Sequence, residues 1–281
     1  MTRVLAVAAS AAALCAAGCG AGDSPAGDPD AALRDTAARL SEIRSGTLGF
    51  RLSIDPKGRD AERLGWELDG PFALGGDGKP ARFQVAYTQR RGDHEATVTV
   101  TSTGERAYVS IGNEAYEVPA DQARDLLQAG TAVAGEQGLG TLDVGAWLRD
   151  PELSDGEEVG GDPTDRIRAD LDVAAAVRDV VELMRRAGGG SLGSLSEADG
   201  RRLADAADRA TLELLTGKDD RLLRRLDLEF DVGFNAPEGL SPVLGDVVGA
   251  EVDLEVTVEH PNEPVSIEAP ADAHPPSEFP G

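Results

Sequence analysis

Two cysteines are the residues of this chain whose type most readily suggests chemistry. Cys15 and Cys19 lie four positions apart, and no other cysteine occurs in the 281 residues. Such a pair could form a disulfide or supply two ligands to a metal ion, or one of the two could carry a covalent modification. A metal site needs further ligands close by, and the neighbouring sequence offers none. A disulfide and a covalent modification remain, and the residues that precede the two cysteines indicate which of them applies.

The segment before the cysteines has the layout of a secretory signal peptide. Arg3 is the only charged residue before Asp23, and residues 4–14 are apolar or small. This run is too short for a transmembrane helix, which needs about 20 apolar residues. Residues 16–19, Ala-Ala-Gly-Cys, resemble the signal of a bacterial lipoprotein, in which cleavage precedes a cysteine that receives a diacylglyceryl group. The sequence therefore predicts lipidation at Cys19.

The match to a lipoprotein signal is incomplete, and a disulfide remains the alternative. Leu14 lies five positions before Cys19, whereas a leucine three positions before the cysteine is usual. Cys15 fits less well, because Leu14 would then occupy the cleavage position. The stretch GAGDSPAGDPD that follows Cys19 lacks apolar periodicity and is typical of a flexible tether. About nine such residues span at most about 30 Å.

No other set of residues has the spacing that catalysis or metal binding requires. The histidines at 94, 260 and 274 are not spaced for a metal site or a triad, and we expect them on the surface. The glycines at 188, 190 and 193 form a G-x-G-x-x-G pattern, but it follows a predicted helix rather than a strand and indicates a hinge. Aromatic residues, which build sugar-cleaving clefts, are only 4% of the chain. We expect no catalytic residue, no metal and no cofactor, and hence no enzyme.

The charge composition excludes one class of partner. Asp and Glu number 51 against 27 Lys and Arg, which gives a net charge of −24. Such a surface repels the phosphates of nucleic acids and anionic headgroups. We therefore expect no nucleic acid partner, and membrane attachment has to come from the lipid on Cys19. The 41% of hydrophobic residues is enough to form a core.

The first half of the chain predicts one helix followed by a meander of strands. Asp28-Pro29 is a helix start, and the residues that share its apolar face are Leu33, Ala37, Leu40 and Ile43. From Phe50 to about Val118, apolar and polar residues alternate in six short runs separated by turns. Two-residue alternation of this kind predicts antiparallel strands with one apolar and one wet face. Gly70-Pro71 is expected to break the second strand, and Arg91-Gly92-Asp93 to form a turn.

The second half predicts further helices and then the clearest strands. A helix candidate covers residues 121–134, a hairpin turns at Gly160-Gly161, and Asp172 precedes another helix. Ser196 and Asp199 form a capping box for a helix that is expected to run to about Thr216. The apolar face of that helix would consist of Leu203, Ala207, Ala210 and Leu214. Residues 225–232 and 251–259 alternate strictly and predict two long strands.

These elements predict the α+β class, with a curved antiparallel half-barrel sheet whose concave apolar face is covered by helices. Residues 1–18 are expected to form the signal peptide and residues 19–28 the tether. A single domain would span residues 29–272, with a helical insert at about 173–216. Residues 273–281 would form a Pro-rich tail.

Several stretches together resemble a known family. The lipoprotein signal is followed by "SGTLGFRLSI", a meander ends in "ERAYVSIGNEAYEVP", and later come "EEVGGDPTDRIRADLDVAAAV" and "VTVEHPNEPVSIEAPADA". This order resembles the actinobacterial lipoproteins of the LppX/LprA/LprF/LprG type, whose wider relatives are the LolA-like and LolB-like lipid carriers. The resemblance implies a half-open barrel that holds the acyl chains of a lipid or lipoglycan between sheet and helices. It also implies an exported protein that diacylglycerol and palmitate groups anchor to the outer face of the cell membrane.

The predicted strands supply the wall of such a lipid cavity. The residues expected to line it are Phe83, Val85, Tyr87, Val98, Val100, Phe230, Val232, Val252 and Leu254. The long insert with its triple glycine would be either a lid or a filler of the cavity. A non-catalytic envelope lipoprotein with a solid core, acting through protein contacts, remains the alternative.

Overall fold

The computed structural model describes residues 27–58, 62–75, 79–123, 144–173, 175–176, 207–233 and 247–279. These residues form one antiparallel sheet of eleven strands with short helices packed on one face. The sheet is open, because its two edge strands are not paired with each other. The predicted α+β class with helices on the apolar face of a large antiparallel sheet is confirmed.

The strands form two meanders, which are joined where the first described strand pairs with the last. The strands are β1 (Ser45–Gly58), β2 (Leu64–Ala73), β3 (Arg82–Arg91), β4 (His94–Ser102), β5 (Ala107–Ile111), β6 (Glu114–Glu117), β7 (Leu148–Asp155), β8 (Thr164–Leu171), β9 (Ala207–Gly217), β10 (Leu223–Gly233) and β11 (Val247–Glu259). The order in the sheet is β6-β5-β4-β3-β2-β1-β11-β10-β9-β8-β7. Among the described strands, hydrogen-bonded neighbours are consecutive in sequence except for β1 and β11, and the consecutive strands β6 and β7 lie at the two opposite edges.

The register places one apolar row across ten strands. Directly paired residues of antiparallel strands share a face. The row consists of Leu153, Ile167, Leu214, Leu226, Val256, Phe50, Leu68, Tyr87, Val98 and Ile111. Parallel rows at Leu52 and Ile54 extend this apolar face toward the end of the sheet at which β1 finishes. We call it the apolar face, and the other side the polar face.

The polar face is joined across strands by ion pairs. Arg51 donates to Glu67 at 3.1 Å and to Glu255 at 3.2 Å, and Arg90 donates to Glu67 at 2.5 Å. Each of these charged residues is next in sequence to residues on the apolar face. Because successive side chains of a strand point to opposite faces, the charged side chains lie on the polar face. This is the wet face that the sequence predicts.

Helix α1 (Pro29–Arg39) covers part of the apolar face and is continued by a 3-10 turn at Leu40–Glu42. The Asp28 carboxylate accepts a hydrogen bond from the Asp30 backbone N–H at 3.1 Å, which caps the helix start. The second helix, α2 (Val144–Trp147), is a single turn before β7. The main core cluster consists of Ala32, Leu33, Ile43, Trp147, Ile167, Leu171, Val173, Ala175, Ala176, Leu212, Leu214, Leu222, Leu223 and Val258. The predicted helix start at Asp28-Pro29 is confirmed.

The beginning of the helix predicted after Asp172 is also confirmed. The Asp172 carboxylate accepts a hydrogen bond from the Ala175 backbone N–H at 3.1 Å, and Val173, Ala175 and Ala176 are helical and buried. The rest of that helix, the triple glycine and residues 177–206 lie outside the described residues. Of the helix predicted at 121–134, only residues up to 123 are described, and they are helical.

The helix predicted to run to about Thr216 is wrong over its last residues. Ala207–Gly217 is strand β9, which lies between β8 and β10. Ala and Leu favour helices locally, but residues 210–216 also alternate, with Leu212 and Leu214 on the apolar face opposite Leu228 and Leu226. Backbone hydrogen bonds to two neighbouring strands and burial of these leucines outweigh the intrinsic helix preference. The predicted helical insert therefore cannot extend past residue 206.

Two further strand predictions need correction. β7 was not predicted, because Leu148–Asp155 contains few apolar residues and includes Pro151, which suits an edge strand. β2 continues through Gly70-Pro71 rather than breaking there. Gly70 has a φ of +147°, and the Cβ of any other residue would stand 2.0 Å from the Gln84 carbonyl oxygen. The turn at Gly160-Gly161 is confirmed, since Val159 and Asp162 pair across it.

The C-terminal segment returns to the β6 edge of the sheet. The His274 N–H donates to the Ala115 carbonyl at 2.8 Å, and the Glu117 N–H donates to the His274 carbonyl at 2.9 Å. The His274 ring stacks on Tyr116 with centroids 5.0 Å apart. The C-terminal segment thus joins the sheet through a parallel bridge between Tyr116 and His274.

Candidate functional site

The structure brings the nine predicted wall residues onto one face of the sheet. Val85 pairs with Val100, and Tyr87 with Val98, so these four form a block on β3 and β4. Phe230 pairs with Val252, which in turn pairs with Ile54 of β1. β2 lies between the two groups and adds Trp66 and Leu68, which the prediction did not include.

The nine residues differ in burial from the main core. Val232 is buried at 3% exposure, and the other eight are half-buried. None of the nine belongs to either of the two core clusters that the described residues form. A half-buried aliphatic row on a sheet keeps apolar area in contact with solvent or with a ligand, which is unfavourable unless something binds there.

The half of the apolar face under α1 is instead filled. Leu33 and Ala37 of α1 and Leu40 of the 3-10 turn line one cavity together with Leu214 and Leu226 of the sheet. The cavity enclosed there measures about 30 Å³, enough for about one or two water molecules. An acyl chain therefore has no room between α1 and β9–β10.

The apolar face carries one exposed polar corner, which was not predicted. In β1–β4 and β11 this face presents apolar or aromatic side chains and glycine, except at Gln89, Arg91, His94 and Ser102. Ser102 is buried, and its hydroxyl donates to the Ala81 carbonyl at 2.7 Å. The other three are exposed and adjacent, because Arg91 pairs with His94, and Gln89 precedes Arg91 by two residues on β3. We call Gln89, Arg91 and His94 the polar corner.

Among the described residues, the polar corner forms one ion pair. The Arg91 Nε–H donates to the Glu62 carboxylate at 2.8 Å, with the two side chains 73% and 55% exposed. A pair this exposed contributes at most about 1 kcal/mol to stability. Arg90, the preceding residue, points to the polar face and pairs there with Glu67 and Glu95.

The polar face has a shallow depression of about 210 Å³ that is lined by Arg168, Thr211, Glu213, Asp227 and Glu229. Its charged lining does not suit an acyl chain. Nearby on the same face, burial and the carboxylate of Glu229 raise the pKa of Asp253. The raised pKa of Asp253 thus follows from its burial and from the carboxylates crowded around it.

The remaining residues that could do chemistry are dispersed. His94 and His260 are exposed and His274 is half-buried, at three separate places. Within the described parts of the chain, no group of three or more His, Cys, Asp or Glu side chains could hold a metal ion. Among the same residues, no helix is long and apolar enough to cross a bilayer. Cys15 and Cys19 lie outside the described residues, and the absence of catalysis stays a prediction.

Comparisons with known proteins return structural similarity alone. No protein-family model matches the chain, and no curated protein matches its sequence. Among solved structures, LprF from Mycobacterium bovis is similar at 14% identity and a TM-score of 0.46, over 87% of this chain and 97% of LprF. The Mycobacterium tuberculosis lipoprotein LppX is similar at 12% identity and a TM-score of 0.43, over 85% of this chain and 98% of LppX. A LolA superfamily protein from Nitrosomonas europaea has 9% identity and a TM-score of 0.19, over 83% of this chain and 94% of that protein.

Proposed function

We propose that this chain is a membrane-anchored envelope lipoprotein that binds the acyl chains of lipids on the apolar face of β1–β4 and β11. The observation that carries this proposal is the half-buried apolar surface around Val85, Tyr87, Val98, Val100, Val252 and Leu254, which belong to neither core cluster of the described residues. The lipoprotein signal at residues 16–19 supports placement at a membrane, where such ligands are found.

The energetics of this surface suit a lipid. Burial of each methylene contributes about 0.8 kcal/mol, so about ten methylenes contribute up to about 8 kcal/mol. That corresponds to a dissociation constant of about 1 μM before ordering costs are subtracted. Charged groups of the polar face take no part, because the alternation of the strands directs them away from the ligand.

The test compares Val100→Glu with Thr99→Glu in binding of a fluorescent fatty acid. The two residues are adjacent on β4 and both half-buried, but Val100 lies on the apolar face and Thr99 on the polar face. We expect Val100→Glu to weaken binding about tenfold or more, because a charge would meet the acyl chain. Thr99→Glu should leave the affinity unchanged.

Unfolding measurements separate this proposal from a protein with a solid core. If the face binds ligand, Val100→Glu should lower the free energy of unfolding by less than about 2 kcal/mol. If the face is packed solid, the same substitution buries a charge and should lower the free energy of unfolding by well over about 2 kcal/mol. Absence of fatty acid binding by the unaltered protein, together with such a large loss, would favour the solid-core alternative that acts through protein contacts.

A further inference from the structure

The apolar face changes character along β3 and β4. On β3 it presents Phe83, Val85 and Tyr87 and then Gln89 and Arg91. On β4, running the opposite way, it presents Ser102, Val100, Val98, Ala96 and His94. At about 3.3 Å per residue, Tyr87 and Arg91 are about 13 Å apart along the strand. The surface is therefore amphipathic along its length, apolar in the middle and polar at the β3–β4 turn.

A surface that is apolar along the strands and polar at the β3–β4 turn matches a ligand with an apolar chain and a polar headgroup. We propose that the polar corner binds the anionic oxygen of a lipid headgroup, a carboxylate or a phosphate, while the acyl chain runs from this corner along β3 and β4 toward Phe83. The inference rests on the proposed function, since it assigns the orientation and the headgroup class of the same ligand. The headgroup would thus lie at the β3–β4 turn and not at the end where β3 begins.

The chemistry of the corner favours an oxygen acceptor. A guanidinium has five N–H donors and no acceptor. Glu62 accepts from Nε of Arg91, and the two terminal nitrogens make no other hydrogen bond or ion pair with described residues. His94 and Gln89 offer further N–H donors beside them. Two terminal nitrogens in one plane match the two oxygens of a carboxylate or phosphate.

The negative charge of the whole chain repels anionic groups at long range, but salt screens this repulsion at the polar corner. At physiological ionic strength, interactions between exposed charges are screened beyond about 8 Å. The charged groups in direct contact with the headgroup therefore determine whether it is attracted or repelled. Among the described residues, Glu62 is the carboxylate within ion-pair distance of Arg91, and it competes with the ligand for that guanidinium.

The role of the polar corner is tested with three ligands that carry the same palmitoyl chain and different headgroups. Palmitate and palmitoyl lysophosphatidic acid carry anionic headgroups, and monopalmitoylglycerol is neutral. Each would displace a neutral fluorescent acyl ester from the full-length protein. We expect Arg91→Gln to weaken both anionic ligands about tenfold, as loss of a charged hydrogen bond does, and to change monopalmitoylglycerol by less than about twofold.

Two further variants make the test specific. Arg90→Gln removes the adjacent arginine on the polar face and should leave all three affinities unchanged. Glu62→Gln removes the competitor of the ligand and should strengthen the binding of the anionic ligands, opposite in sign to Arg91→Gln. A purely structural role of the ion pair would give the same sign for both variants.

The outcomes separate this inference from the proposed function. If the unaltered protein binds none of the three ligands, both fail. If it binds all three and Arg91→Gln weakens them equally or not at all, only the headgroup assignment is overturned. A larger Arg91→Gln effect on lysophosphatidic acid than on palmitate would identify a phosphate, and the reverse a carboxylate.

Discussion

Asp253 and Glu67 are carboxylates on the same polar face whose pKa values move in opposite directions. Burial raises the pKa of Asp253, and the negative charge of Glu229 adds to this effect, while Arg63 opposes it. A hydrogen bond from Arg90 lowers the pKa of Glu67 against the effect of burial, and a second hydrogen bond from Arg51 adds to it. One carboxylate is thus crowded by like charge, and the other is held between two arginines.

These two carboxylates predict opposite effects on stability. A raised folded-state pKa means that ionised Asp253 is unfavourable, so Asp253→Asn should stabilise the protein at pH 7 by less than about 1 kcal/mol. The gain should disappear as the pH falls from the raised pKa to about 3.9, the ordinary value for Asp. Glu67→Gln should destabilise at pH 7, and this loss should disappear as the pH falls below about 4.3 through the lowered pKa of Glu67.

Chemical denaturation of both variants between pH 7 and pH 3.5 measures these effects, with the unaltered protein at each pH as reference. If both substitutions change the free energy of unfolding in the same direction at pH 7, or if the effect of Asp253→Asn does not depend on pH, Asp253 is not crowded by like charge.

At the residue scale, the placement of the proposed wall residues on one face of the sheet was predictable, and the polar corner was not. Alternation alone places Val85, Tyr87, Val98 and Val100 on one face, because a strand directs every second side chain to the same side. The sequence predicts a turn at Arg91, whereas β3 continues through this residue and directs its side chain to the apolar face. The polarity gradient appears only when the register of β3 against β4 is known.

At the scale of elements, α1 is fixed to the sheet by a buried hydroxyl as well as by apolar contacts. The Thr36 hydroxyl is fully buried and lies 2.9 Å from both the Ala32 carbonyl and the Thr216 hydroxyl. Thr216 belongs to β9, and its own hydroxyl lies 3.4 Å from the carbonyl of Leu222, the residue just before β10. The helix is thereby tied to the end of the sheet at which β9 finishes.

Substitution of this pair predicts a non-additive effect. Thr36→Val keeps the volume but leaves Thr216 with a buried hydroxyl that has lost one partner, so we expect a loss of about 1–3 kcal/mol in the free energy of unfolding. Thr36→Val combined with Thr216→Val removes both hydroxyls and should cost less than the sum of the two single changes. A double-mutant cycle by urea denaturation measures the difference, and strict additivity would show that the two hydroxyls do not interact.

The elements that the sequence predicted correctly are those in which local pattern and tertiary contacts agree. β10 and β11 alternate strictly and pair with each other, so periodicity and packing indicate the same structure. In β9 they disagree, because Ala and Leu favour a helix while the sheet needs a strand between β8 and β10. β7 has too few apolar residues to show alternation, and its strand state depends on the backbone hydrogen bonds that β8 supplies.

At the scale of the whole molecule, the apolar face has two parts with different roles. α1 fills the part over β9–β10 and leaves about 30 Å³, whereas the part on β1–β4 stays half-buried. The first part supplies the core that holds the sheet, and the proposed ligand surface lies beside it. A substitution in the filled part should therefore act on stability, and one in the half-buried part on binding.

The tether joins the described structure at the β7 edge of the sheet. A Cβ at Gly27 would stand 3.0 Å from Cδ2 of Leu153, so the chain lies against β7 before α1 begins. Eight residues from Cys19 to Gly27 span at most about 28 Å. If Cys19 carries the lipid, Gly27 is held within this distance of the bilayer.

The two cysteines give a matched pair of variants for this anchor. Cys19→Ser should abolish cleavage before residue 19 and the added mass of the acyl groups, and should release the protein from membranes or leave it as the uncleaved precursor. Cys15→Ser should leave the mature mass and the membrane fraction unchanged, because residue 15 lies in the part removed by cleavage. Intact-protein mass spectrometry of membrane and soluble fractions measures both. If the cysteines instead form a disulfide, the two variants should behave alike, and the unaltered protein should gain two hydrogens on reduction without any acyl mass.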